Sequence, residues 1–331
     1  MHMTETTTKH TAPASPIPVI AASYIGPPLM PNRDALWEEN ELPWTADALV
    51  HEVMGQPMRR AGRFIKMVSC GGLACLQQVS PDYLKGKKTG IVLATGLGNV
   101  DEILPFITQV FKHGGGFPSP NQFANSVSNA AAFVMARICE VTGTVLTVSQ
   151  EELSFESALW LAQTYLEHGR IDIALVGGCD IFTPTAEEYR ERVNVSCGNA
   201  RRLPMGESSS WLLLGKNEEQ NIGHILAVDF YDTVGAPDQR FDKQTILSDL
   251  CDARGKGRIV LPGFRIRQTD LNGWKDGGWE TEDYLPCCGI HSTASAFGIA
   301  RTLREKTNSV FVHYNCSASG RHAFVSGSTK S

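Results

Sequence analysis

The chain has 331 residues, 42% hydrophobic and 20% charged, with a formal net charge of −5 and a sequence pI near 6.0. That length suits two ordinary domains or one large duplicated unit with a sizeable core. The acidic balance argues against nucleic acid or an anionic membrane as main partner, and no window approaches the roughly 20 apolar residues that span a bilayer.

The start, "MHMTETTTKHTAPASPIP", is rich in Thr, Ala and Pro and lacks an apolar h-region. It reads as a disordered tail over 1–16 rather than a secretory signal, which places the protein in the cytoplasm. The nine cysteines fit that compartment as reduced thiols. No CxxC occurs, and neither Cys70 and Cys75 nor the adjacent Cys287 and Cys288 have metal-ligand spacing. Small core residues are the plain reading.

A first strand is predicted at Pro18–Ile25. The stretch from Asn32 to Val53 is polar and irregular, a loop or short helices. Helical spacing runs from Met58 to Val79, and "KTGIVLATGLG" is a buried strand ending in a turn. Asn99–Lys112 reads as a helix, "HGGGFPSPNQF" as a loop, and "NSVSNAAAFVMARICEVTG" as a small-residue helix ending at Gly143. The β-branched strand Thr144–Ser149 then feeds a helix over Glu152–His168 through a sharp turn. "IDIALVGGCD" is a buried strand. Later strands are "SSWLLLG", "GHILAVDFYD", "RIVLPG", "SVFVHYN" and "HAFVS", with helices over Asp238–Asp252 and Ser292–Glu305. Alternating helices and wholly apolar strands predict a layered α/β protein. "KTGIVLATG" and "KGRIVLPG" each run into a Gly turn, which suggests that two halves repeat one plan.

"ATGLGN" mimics a dinucleotide fingerprint but lacks the third glycine, and no acidic residue closes a second strand about twenty residues on. A tight turn is the better reading. "HGGGF" has no following Lys-Ser/Thr to hold phosphate. No GxSxG occurs. The strand-to-helix elbow at 150–152 has the geometry of a nucleophile site but holds Gln150, Glu151 and Glu152. His291 in "CCGIHSTASAFGIA" sits at the mouth of a small-residue helix. Arg59, Arg60, Arg63 and Lys66 read as a charged helix face before they read as a dock for an acidic partner.

The block from Asn125 to Asp180, ending in "HGRIDIALVGGCD", resembles a β-ketoacyl synthase of the thiolase superfamily. "RRLPMGESSSWLLLG", "GIHSTASAFGIA" and "HYNCSASGRHAFVS" resemble that family's later segments, so the likeness runs from Pro18 to Ser326. It implies a thiolase-like fold: two βαβαβαββ halves in five layers, α-β-α-β-α. One unit would occupy 17–326, its halves about 17–215 and 216–326, with a short tail at 327–331.

The departures from that family concern its chemistry. Counted back from "ALVGG", its nucleophilic cysteine falls on Glu152, and a carboxylate cannot form the thioester that condensation needs. Its first histidine falls on or near Gly263 and its lysine near Pro286, so His291 alone survives. The resemblance then implies a chain length factor, the cysteine-less sister that pairs with a catalytic ketosynthase and shapes the tunnel for acyl chains carried by an acyl carrier protein. Gln150, Glu151, Phe155 and Phe123 are the candidates for facing tunnel or partner. The elbow is then inherited and disarmed, with Glu152 a helix-start acceptor or the mate of a partner arginine. No metal, nucleotide or other cofactor is expected. A rival reading makes the chain a malonyl-carrier decarboxylase or other acyl-thioester transferase, with Glu152 as acid and His291 as donor to the thioester oxygen.

Overall fold

The computed structural model describes residues 16–27, 29, 31–33, 45–116, 119–182, 204–216, 220–232 and 256–331. Residues 1–15 of the expected tail, the predicted helix Asp238–Asp252, and Cys197 and Cys251 lie outside them. The first half comprises β1 Ile17–Ile25, α1 Ala46–Met54, α2 Arg63–Leu76, β2 Thr89–Ala94 and α3 Val100–Lys112. It continues through α4 Pro120–Ser126, α5 Ala130–Ile138, β3 Val145–Val148, α6 Ser154–Glu167, β4 Ile173–Asp180 and β5 Ser208–Gly215. The second half comprises β6 Gly223–Asp232, β7 Gly257–Pro262, β8 Glu280–Thr281, α7 Leu285–Cys288, α8 Ala294–Glu305, β9 Ser309–Cys316 and β10 Arg321–Thr329.

Strand order shows the duplication that sequence only suggested. The ten strands run β3-β2-β4-β5-β1-β6-β10-β9-β7-β8. From β1 outward and from β6 outward the two sets of five have one order. In the first, β2 is parallel to β3 and β4, and β5 is antiparallel to β4 and β1. In the second, β7 is parallel to β8 and β9, and β10 is antiparallel to β9 and β6. The sets join where Ile17–Val19 of β1 pairs with Gly223–Ile225 of β6.

The pleat sends alternate residues to two cores, which is why these strands are apolar throughout. On β2, Val92 and Ala94 enter the central core while Ile91 and Leu93 enter the outer core that α1, α2 and α5 help to form. On β7, Ile259 and Leu261 turn inward while Val260 turns outward. Helices α6 and α8 fill the central layer with small residues, Ala158 and Ala162 from one, Ala296 and Ala300 from the other. The layers are therefore α-β-α-β plus a fifth. Among the described residues that fifth layer is the turn-rich stretch 264–279, where Trp274 and Trp279 pack edge-on at 5.3 Å.

Several element boundaries differ from expectation. The helix read over 125–143 is two pieces, and "SPNQF" begins one of them. Ser119 caps α4 by accepting from the Gln122 N–H, and Pro120 takes the first helical position, where its missing N–H costs nothing. The helix read from Met58 begins only at Arg63. Strand β10 runs to Thr329, so Gly327–Thr329 belong to the sheet and not to a tail. The polar letters "GST" concealed this. A Cβ on Gly327 would meet the Phe311 ring, so only glycine fits at the bulge there. Strand β8 and helix α7 were too short to leave a periodic signal.

Candidate functional site

The elbow is built as the β-branched run dictates. Strand β3 ends at Val148, a 3₁₀ turn occupies Glu151–Leu153, and α6 begins at Ser154. Ser154 closes the turn: its Oγ accepts from the Gln150 N–H at 2.8 Å and donates to the Glu151 carbonyl at 2.7 Å. Glu151 carries φ +48°, a left-handed conformation that strains any residue with a Cβ. Gln150 and Glu151 are exposed, and the Gln150 side chain accepts from Ser157 Oγ at 2.6 Å. Phe155 is fully buried in the central core. Phe123 on α4 is 56% exposed.

Glu152 points into the protein and is 2% exposed. Arg265 donates to its Oε1 through Nε at 2.8 Å and lies against the same oxygen through Nη2 at 2.7 Å. The Ala318 N–H reaches Oε2 at 3.3 Å. The arginine comes from this chain's own second half, three residues beyond the end of β7, where the elbow's sequence had left a partner arginine open. A buried carboxylate needs such compensation, because an unpaired one is costly out of water.

A second buried cluster lies one helical turn on. Asn315 Nδ2 donates to the Glu152 carbonyl at 2.8 Å and to Glu156 Oε1 at 2.9 Å. Glu156 Oε1 lies 3.5 Å from His313 Nδ1, and the Tyr284 hydroxyl lies 2.8 Å from His313 Nε2. Burial pushes the Glu156 carboxyl up to about 7 and the His313 imidazolium down to about 3. The pair is thus a carboxyl facing a neutral imidazole and not an ion pair at neutral pH.

The other half repeats this device. Asp180, at the end of β4, accepts from the Thr293 N–H and Oγ1 at 3.1 and 2.9 Å, tying down the start of α8. It also accepts from Thr95 Oγ1 and the Gly96 and Leu97 N–H groups. Asn315 stands near the end of β9 and ties down the start of α6. Each half's fourth strand therefore anchors the other half's central helix.

His291 is buried, and its Nε2 lies 2.7 Å from Ser208 Oγ. Burial lowers its imidazolium to about 3, so it is neutral at physiological pH. Gly263 has no room for the family's histidine: a Cβ there would run into Asn315 Oδ1. Pro286 lies within α7. None of the seven described cysteines is joined in a disulfide; burial raises Cys70, Cys75 and Cys139 to about 12, which makes them inert. The basic stretch is not one helix face. Arg63 pairs with buried Glu207 and Lys66 with Asp47 at 2.7 Å, while Arg59 and Arg60 sit in the exposed turn before α2.

Sequence reasoning reached Glu152, Gly263 and His291 but missed Arg265, Glu156 and His313. Arg265 had a signal: it lies two residues after the glycine that replaces a histidine. Glu156 and His313 had none, since a lone polar residue on an apolar element reads as a surface position.

No family model matches the sequence, and no curated protein matches it. Solved structures do match the fold. The ishigamide ketosynthase/chain length factor superposes with a TM-score of 0.69 at 14% identity, over 96% of this chain and 100% of that one. A type II polyketide synthase acyl-carrier protein in complex with its ketosynthase, bound to the hexaketide, gives 0.67 at 12% identity, over 95% and 99%. A β-ketoacyl synthase from Burkholderia phymatum STM815 gives 0.67 at 11% identity, over 96% and 100%. At these identities it is the fold that is shared, and the chain has the thiolase-like fold of ketosynthases and chain length factors.

Proposed function

We propose that this chain is a ketosynthase-like subunit without a nucleophile, of the chain length factor type. It pairs with a catalytic β-ketoacyl synthase and shapes the acyl tunnel in carrier-protein-dependent polyketide or fatty-acid-type biosynthesis, in the cytoplasm. The observation that carries this reading is the elbow. Where the fold's chemistry needs a thiolate, the chain places Glu152 and commits its carboxylate to Arg265 and the Ala318 N–H. The decarboxylase reading gains nothing from the geometry, because Glu152 is bound up and His291 Nε2 is engaged by Ser208.

Pairing draws support from the first half's edge. Among the described residues, strand β3 ends the sheet and has a neighbour on one side only. Helix α3 is 13 residues long and buries none of them, leaving Leu104, Ile107 and Phe111 exposed. Phe123, Phe133 and Trp160 on α4, α5 and α6 extend the apolar surface. Patches of this kind and unpaired edges are covered in stable assemblies. The test is reconstitution with a cognate ketosynthase and acyl carrier protein. The pair should co-purify one to one and condense malonyl units, while this chain alone takes no acyl group. A covalent acyl adduct on the isolated chain, or condensation unaffected by its omission, would overturn the reading.

A further inference from the structure

We propose that the second half of the chain presents a carboxylate-binding site to the elbow, and that Glu152 is its tethered ligand. The receptor consists of the Arg265 guanidinium, two of whose nitrogens lie within 2.8 Å of Oε1, and the Ala318 N–H, 3.3 Å from Oε2. The ligand comes from a different half of the molecule. Receptor and ligand are separated by 113 and 166 positions in sequence, so nothing local enforces their meeting. Both partners are withdrawn from water: the side chains of Arg265 and Glu152 are 10% and 3% exposed. Asn315 holds the elbow in register by donating to the Glu152 carbonyl. A planar guanidinium with an N–H opposite it is a fork for any carboxylate of matching size, tethered or not.

The chemical class follows from the geometry. Truncating Glu152 at Cβ removes a methylene and a carboxylate, the size of acetate. The emptied site should then accept acetate or formate and reject neutral amides of the same shape. In the intact chain the tether keeps the local carboxylate concentration far above what free ligands reach. The elbow is therefore closed to acyl carboxylates by occupancy, and not merely short of a thiol. This inference stands on the residues around Glu152 and not on pairing. Failed rescue would leave the subunit reading untouched, and failed pairing would leave this one untouched.

The test is chemical rescue of Glu152→Ala, read by thermal unfolding. The variant should melt several degrees below the parent. Sodium acetate or formate should restore at least about half of the loss, with a shift that follows carboxylate concentration as single-site binding requires. Acetamide, formamide and sodium chloride at matched ionic strength should not. Neither the parent chain nor the double variant Glu152→Ala, Arg265→Ala should respond. Equal shifts with chloride, or equal shifts in the double variant, would sink the proposal. If Glu152→Ala is insoluble, refolding yield with and without acetate decides: recovery with acetate alone supports the site, and no difference overturns it. Arg265→Ala supplies the reciprocal arm, with stability regained from guanidinium at concentrations too low to denature the parent.

Discussion

His291 is the one catalytic position that the resemblance to β-ketoacyl synthases leaves filled in this chain, yet its surroundings are those of a packing residue. It is buried, neutral, and bonded to Ser208. His291→Ala should destabilise the chain by about 1–3 kcal/mol, by opening a cavity and orphaning the serine hydroxyl. Turnover of the reconstituted complex should stay within about tenfold at a temperature where the variant is folded. A loss beyond about a hundredfold, or roughly 2.7 kcal/mol of barrier, would assign His291 chemistry. Glu156 makes a separate statement through pH. Burial raises its carboxyl from the ordinary 4.5 to about 7 in the folded chain. A raised acid holds its proton in the fold, so its penalty is absent below pH about 4.5, grows as pH rises, and is complete above about 7. Glu156→Gln should remove that penalty. Relative to the parent, its melting temperature should be higher at pH 8 than at pH 5. His313 and His291, both lowered, act in the opposite sense and lose stability as pH falls from 6.5 toward 3. A Glu156→Gln difference that does not change with pH would show that burial does not set its titration.

At the scale of elements, the proposed association rests on β3 and α3–α6. Phe133 on α5 is 60% exposed and Phe111 on α3 is 81% exposed. Replacing an exposed ring disturbs little in the isolated chain, so Phe133→Asp should change its stability by no more than about 0.5 kcal/mol. In a dimer the same change buries an unpaired charge. Affinity for the partner, or for a second copy where the partner is absent, should fall by at least about a hundredfold. Sedimentation and light scattering on the two proteins would check it, and unchanged association would place the interface elsewhere. The central helices set the other rule at this scale. Small residues on α6 and α8 let two sheets close on one layer, and each helix start is fastened by the opposite half through Asn315 or Asp180.

For the molecule as a whole, the proposed subunit reading distributes the loss of condensing chemistry over both halves, so a change at one position should not reverse it. Glu152→Cys restores a thiol at the elbow. It also strands Arg265, and the second half offers Gly263 and Pro286 where the resemblance to β-ketoacyl synthases implies a histidine and a lysine. The variant should form no condensation product. Adding Gly263→His should destabilise it further, by more than about 2 kcal/mol, because the new side chain must displace Asn315 from both elbow contacts. Condensation above background by either variant would show that the disarming is confined to one residue. The sequence alone determined the layered α/β class, the places of most strands along the chain, and the elbow with no cysteine in it. Apolar runs, Gly turns and a β-branched stretch feeding an amphipathic one are local properties that the letters carry. Only the tertiary structure decided what Glu152 binds, why Gly263 must be glycine, and how β10 reaches Thr329. Those depend on groups more than fifty positions apart, or on the ring of Phe311 beside Gly327, and no window of sequence holds both partners of such a contact.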